Sequence, residues 1–144
     1  MRICFQKDEP LVRKAGLRIL GHVSDSEALL DYIKDDVEEY TTNIVQGFSH
    51  PSQVVREATC DVVGAFSENV IPDFLFQHKQ VMPALLKALK DQVQVAATSD
   101  DHAQSATGAL TALSEFAANM EEYEIGFYLK DAVEISLQYL ITEN

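Results

Sequence analysis

Three carboxylates lie along one side of a predicted helix in the middle of the chain, within residues 52–70. They are Glu57, Asp61 and Glu68. An apolar stripe with spacings of three and four residues takes the other side: Val55, Ala58, Val62 and Phe66. Carboxylates grouped in this way attract a basic protein segment, and a carboxylate with a strongly raised pKa in a deep pocket could act as a general acid or base. The face is therefore a candidate site for a basic partner, with a small all-α enzyme as the alternative.

The other residues that could do chemistry form no pattern typical of catalysis or metal binding. The four histidines share no i, i+4 spacing, whereas a zinc site needs three or four converging ligands. Gly16 and Gly21 have the spacing of a phosphate-binding loop, but the Lys-Ser/Thr that should follow is missing. Cys60 takes the place of Leu17 in an internal repeat, which indicates packing. We therefore expect no enzyme activity, no metal and no cofactor.

The composition excludes several classes of protein. The chain has 144 residues, 47% of them hydrophobic, and a formal net charge of -12. This charge repels phosphate backbones, so nucleic-acid binding is not expected. No apolar run approaches the roughly 18 residues of a membrane span, and two cysteines 56 positions apart indicate reduced thiols rather than a disulfide framework. We expect one folded unit, residues 1–144, that is found in the cytoplasm and the nucleus.

The apolar residues recur at spacings of three and four almost everywhere, which predicts an all-α fold. Ser24 and Glu27 resemble a capping box ahead of one helix, and Pro51 suits the first turn of the next. The predicted helices span residues 10–23, 27–48, 52–70, 73–90, 101–120 and 124–141. The segment 92–101 is predicted to be an exposed loop.

The chain repeats itself at a fixed offset of 43 residues. The pairs at this offset are Arg13 and Arg56, Ala15 and Ala58, Gly21 and Gly64, and Ser24 and Ser67. A third copy is weaker and lies 48 residues further on, with Ala106, Leu110 and Ala112. This period is that of a HEAT unit of two helices, A and B. We therefore predict an α-α superhelix of about three HEAT repeats, with partial repeats at 1–25 and 123–144 and full repeats at 26–72 and 73–122.

Four basic residues are predicted to join neighbouring repeats. The offset of 43 places Lys14 beside Glu57 and Arg18 beside Asp61. Such ion pairs would neutralise part of the negative charge of the acidic face. Two further arginines, Arg13 and Arg56, are expected to reach an aspartate or backbone carbonyls of the adjacent repeat. Asp8 is the predicted partner of Arg13. The carboxylates of this face therefore form ion pairs between neighbouring repeats, bind a ligand or are simply solvated.

Residues 51–89 resemble a HEAT repeat of the importin-β (karyopherin-β) nuclear transport receptors. The stretch opens with Pro-Ser-Gln-Val-Val-Arg-Glu-Ala and closes with Gln-Val-Met-Pro-Ala-Leu-Leu-Lys-Ala-Leu. Val-Arg pairs recur at Arg13 and Arg56, and a Tyr-Leu-Lys follows at Tyr128. The similarity covers nearly the whole chain and is greatest to the large importins for histones and ribosomal proteins.

This resemblance implies a function in binding proteins. The B helices of the family line a concave surface for basic cargo and the small GTPase Ran, and grooves between its A helices accept Phe-Gly repeats of nucleoporins. The chain is then a scaffold segment of a nuclear import receptor, and Glu57, Asp61 and Glu68 are its candidate partner-binding residues. Scaffolds of another class, such as a phosphatase regulatory subunit or a cullin regulator, fit the packing pattern equally.

The two ends of the predicted stack carry apolar residues that would have no neighbours. They are Ile19 and Leu20 on one side and Leu137 and Leu140 on the other. Because solenoids need polar terminal repeats, the sequence predicts self-association through these ends.

Overall fold

A computed structural model describes residues 9–95 and 100–143, and these residues are almost entirely helical. The helices are α1 (Pro10–Ser24), α2 (Glu27–Asp35), α3 (Val37–Gln46), α4 (Gln53–Asn69), α5 (His78–Val95), α6 (Asp100–Ala118), α7 (Glu122–Ile125) and α8 (Leu129–Glu143). There are also two short 3-10 turns: Gly47–Ser49 follows α3 directly, and Leu75–Gln77 leads directly into α5. The described part contains no strand, and the predicted all-α class is confirmed.

The helices form two layers. In one layer α4 lies between α1 and α6, and in the other α5 lies between α3 and α8, while α5 also packs on α6. This is the alternation of B and A helices expected of an α-α superhelix. None of the described helices combines the length and apolar character needed to cross a bilayer.

Several helix limits differ from the prediction. The helix predicted over 27–48 is broken at Asp36, whose backbone (φ -116°, ψ 24°) is not helical, so it becomes α2 and α3. The helix predicted to begin at Asp73 begins at His78, and the one predicted to begin at Glu124 begins at Leu129 after the single turn of α7. Helix α5 continues to Val95 and α6 begins at Asp100, so the predicted loop 92–101 is helical at both ends; residues 96–99 lie outside the described residues. The repeat limits themselves remain predictions.

The third copy has a different register from the one predicted. The buried positions of α6 follow those of α4 at an offset of 50: Ser105 and Val55, Ala106 and Arg56, Ala109 and Thr59, Ala112 and Val62, Leu113 and Val63, Phe116 and Phe66. The internal repeat in the sequence predicted an offset of 48 residues for this copy. Helix α6 contains six alanines within 103–118, so small residues coincide at more than one offset, and only the burial pattern distinguishes them.

Gly47 has no room for a side chain, because a Cβ at this position would overlap the hydroxyl of buried Thr59 and lie 3.1 Å from its Cβ. We expect Gly47→Ala to lower the free energy of unfolding by about 1–3 kcal/mol through overpacking. Gly21 is the matched control, since a Cβ there would lie an ordinary 3.9 Å from Val62. Gly21→Ala should raise stability by about 0.5–1 kcal/mol through helix propensity. Urea unfolding measures both, and equal effects would contradict the packing at Gly47.

Candidate functional site

The predicted acidic face forms one wall of a groove between α4 and α6. The groove has a volume of about 550 Å³. Glu57, Asp61 and Glu68 project from α4, and Glu115 adds a fourth carboxylate from α6. The three α4 carboxylates are exposed, because their spacing keeps them on the side of the helix opposite its buried residues. The arrangement is a row of negative charge across two adjacent B helices.

Glu115 was not identified from the sequence. Its carboxylate lies over Gly64, in the space that a Cβ at position 64 would fill. Burial raises the pKa of Glu115, and the negative charges of Glu68 and Asp61 raise it further. A cation bound in the groove would oppose the effect of these charges. In the sequence, the only sign of this contact is Gly64 on α4, because a glycine lets another group come close to the helix. It does not identify Glu115 as that group.

A second groove lies on the other side of the same acidic row, between α1 and α4. Its volume is about 430 Å³, and Asp61 and Glu68 line this groove as well as the first. Arg18 and His22 line it from α1. The α4 carboxylates therefore form a ridge with a groove on either side.

The predicted ion-pair ladder does not form among the described residues. Neither Lys14 with Glu57 nor Arg18 with Asp61 lies within ion-pair distance, whereas Lys34 and Asp73 lie 3.7 Å apart and Lys87 and Asp91 lie 3.2 Å apart. Glu57 instead accepts a hydrogen bond of 2.9 Å from Gln53 Nε2. Long side chains on an exposed face gain little free energy from pairing. Helices α1 and α4 therefore lie side by side, as the offset of 43 predicts, but their charged side chains do not pair. The charges of the ridge are therefore not neutralised by ion pairs with α1.

Arg56 is buried and joins two repeats through neutral acceptors. Its Nε donates to Ser105 Oγ of α6 at 2.8 Å, and one terminal nitrogen donates to the carbonyls of His50 and Pro51 at 2.8 and 2.7 Å. These carbonyls belong to the turn before its own helix, whereas the sequence placed them in the adjacent repeat. Arg13 is half-buried near the start of α1, and its predicted partner Asp8 lies outside the described residues.

Cys60 lies in the wall of the α4–α6 groove, next to Gly108. Burial raises the pKa of its thiol to about 12, and the charges of Asp61, Glu115 and Glu57 contribute to this rise. The thiol is therefore neutral at physiological pH and a poor nucleophile. Within residues 9–95 and 100–143 no group of three metal-ligating side chains converges.

A third groove runs between the A helices α5 and α8 and is the most apolar of the three. Its volume is about 580 Å³. Apolar and aromatic side chains line it: Pro83, Leu86, Phe127, Tyr128 and Ile135. Lys87 and Lys90 lie at its α5 edge, and Asp131 and Glu134 at its α8 edge. At one end the Tyr128 hydroxyl lies 3.0 Å from Nδ1 of buried His78, which joins the two helices.

Comparisons with known proteins support the resemblance predicted from the sequence over part of the chain, and not over nearly all of it as predicted. The chain is 39% identical over 87 residues to importin-4 of Homo sapiens and 37% identical over 87 residues to importin-4 of Mus musculus. The aligned part covers 60% of this chain and 8% of each relative, so the chain spans only a small fraction of their length. No family model and no solved structure matches the chain. Over the aligned part this chain is therefore similar to a segment of importin-4, and the described residues form the helix layers of a HEAT-like superhelix.

Proposed function

We propose that this chain is a protein-binding segment of a nuclear import receptor, and that the groove between α4 and α6 binds a lysine- and arginine-rich segment of protein cargo. The observation that carries the proposal is the row formed by Glu57, Asp61 and Glu68, which has no basic partner among the described residues. A receptor of this kind acts in both cytoplasm and nucleus. The importin-4 similarity favours this function over a phosphatase or cullin scaffold.

The shape of the site supports an extended basic segment as the ligand. The carboxylates lie at intervals along α4, and Glu115 faces them from α6. Lysine and arginine side chains have long stems and charged ends, so they can reach carboxylates on both walls of a groove. The same surface would suit a basic patch on Ran, which is the second candidate partner for this face.

The test uses neutral substitutions at the ridge and a matched control. Glu57→Gln, Asp61→Asn and Glu68→Gln together remove three charges from the groove. The control, Asp31→Asn with Asp35→Asn and Glu38→Gln, removes three exposed charges from α2 and α3. We expect the groove variant to bind a Lys/Arg-rich peptide roughly tenfold more weakly at low salt and to lose most of its salt dependence. Equal weakening in both variants would show that only net charge matters and would refute the site.

The groove between α5 and α8 supports a nucleoporin contact as a second proposal. Its apolar floor, with Phe127 and Tyr128 at one side, offers the aromatic surroundings that a phenylalanine side chain would prefer. Titration of the chain with a Phe-Gly peptide should then shift NMR signals of α5 and α8 and leave those of the acidic groove unchanged. Shifts confined to α4 and α6 would refute this second proposal.

A further inference from the structure

The connection between α6 and α8 carries an exposed tyrosine among acidic residues. Tyr123 is 71% exposed, with Glu121 and Glu122 before it and Glu124 after it. Residues 117–129 contain no lysine or arginine. The connection is therefore a negatively charged segment that presents a phenol side chain to solvent.

The equivalent connection of the preceding repeat is also at the surface. At the offset of 50, residues 121–123 correspond to residues 71–73, which lie between α4 and α5. There, Ile71 is 44% exposed, Pro72 is exposed and the Asp73 side chain is 37% exposed. This exposure persists although α6 packs against both α4 and α5. A neighbouring repeat therefore leaves this kind of connection accessible, and we expect the same of residues 121–123.

The helical turn that holds Tyr123 has few ties to the rest of the molecule. Helix α7 is four residues long, contains no buried residue, and has no side-chain cap at Glu121. Its ties are Ile125, which is partly buried against the core, and the Glu124 carboxylate, which lies 3.4 Å from Nε2 of His78. Segments with few buried apolar contacts open locally at low cost in free energy. The turn can therefore leave the surface without the unfolding of α6 or α8.

Tyr32 is as exposed as Tyr123, at 70%, but it differs in both other respects. It lies inside the nine-residue helix α2, and the next residue, Ile33, is 2% exposed. Lys34 lies two positions further along. Because Ile33 anchors α2 in the core, Tyr32 can enter the cleft of another protein only if this helix unfolds. Tyr32 is thus an internal control for the effects of local structure and charge.

We propose that Tyr123 is a phosphorylation site for a tyrosine kinase whose acceptor cleft is lined by lysine and arginine. The carboxylates around Tyr123 complement such a cleft, since kinases select substrates partly by charge. In the transfer, the Tyr123 hydroxyl oxygen attacks the γ-phosphorus of ATP and forms the new O–P bond. The bond between this phosphorus and the β–γ bridging oxygen breaks, ADP leaves, and the hydroxyl proton passes to the catalytic aspartate of the kinase. This proposal is independent of the proposed cargo function.

Incubation of the whole chain with ATP, Mg²⁺ and a purified tyrosine kinase that phosphorylates a glutamate–tyrosine copolymer tests the proposal. Mass spectrometry of proteolytic fragments locates the phosphate and gives the rate at each tyrosine. We expect phosphate transfer to Tyr123 to be roughly tenfold or more faster than transfer to Tyr32. Tyr123→Phe should remove most of the incorporated phosphate, and circular dichroism checks that this variant keeps its helices.

A charge variant with a matched control tests the role of the acidic neighbours. Glu121→Gln with Glu122→Gln should slow transfer to Tyr123 roughly fivefold. The control, Asp35→Asn with Glu38→Gln, removes two exposed charges from α2 and α3 and should leave this rate unchanged. Transfer mainly to Tyr32, equal slowing by the two pairs, or no phosphate on the chain would each overturn the proposal.

Discussion

Replacement of Phe74 by alanine is expected to lower the free energy of unfolding by about 3–5 kcal/mol, the cost of removing a fully enclosed phenyl ring. Phe74 is completely buried between two other aromatic rings. Its ring centroid lies 5.3 Å from that of Phe66 and 5.4 Å from that of Phe116, both in edge-to-face geometry. The ring therefore contacts α4 and α6 at once, and its loss would leave a cavity between two repeats.

Phe76 is the matched control for this substitution, since it lies two residues away and is 65% exposed. Phe76→Ala should change stability by no more than about 0.5 kcal/mol. Urea unfolding followed by circular dichroism measures both variants. A loss at Phe74 as small as that at Phe76 would show that the aromatic cluster does not hold the two B helices together.

The second large effect is expected at Arg56, which is 5% exposed. Arg56→Ala should lower the free energy of unfolding by about 3 kcal/mol, because Ser105 and the carbonyls of His50 and Pro51 would lose a charged donor inside the protein. Arg56→Lys should recover little, since an ammonium group cannot reproduce the divergent nitrogens of a guanidinium.

Arg18 provides the control for Arg56, since it is exposed and forms no ion pair among the described residues. Arg18→Ala should alter stability by at most about 0.5 kcal/mol. The same urea unfolding measurement compares the three variants. If Arg56→Ala and Arg18→Ala destabilised equally, the network at Arg56 would not be the link between α4 and α6.

Local patterns in the sequence were sufficient to predict the all-α class and the correspondence between α1 and α4. Residues that share an offset of 43, such as Gly21 and Gly64, occupy matching places in α1 and α4 because the same helix contacts recur there. The side of α4 that carries Glu57 and Asp61 followed directly from the helical period. These features depend on residues close in the chain, where spacing alone determines the face.

Features that depend on contacts between distant residues were not predictable in the same way. The position of Glu115 over Gly64 requires the register of α6 against α4, and the alanines of α6 leave that register ambiguous in the sequence. The break at Asp36 has no proline or glycine to mark it. The prediction of an ion pair between Lys14 and Glu57 was wrong, because two neighbouring helices do not fix the positions of flexible, exposed side chains.

NMR titration of the isotope-labelled chain with a Lys/Arg-rich peptide decides whether the acidic groove between α4 and α6 binds a basic protein segment. We expect the amide signals of Glu57, Asp61, Gly64, Gly108 and Glu115 to shift together, and added salt to reverse the shifts. Shifts confined to the acidic residues of α2 and α3, or an absence of shifts at low salt, would contradict it.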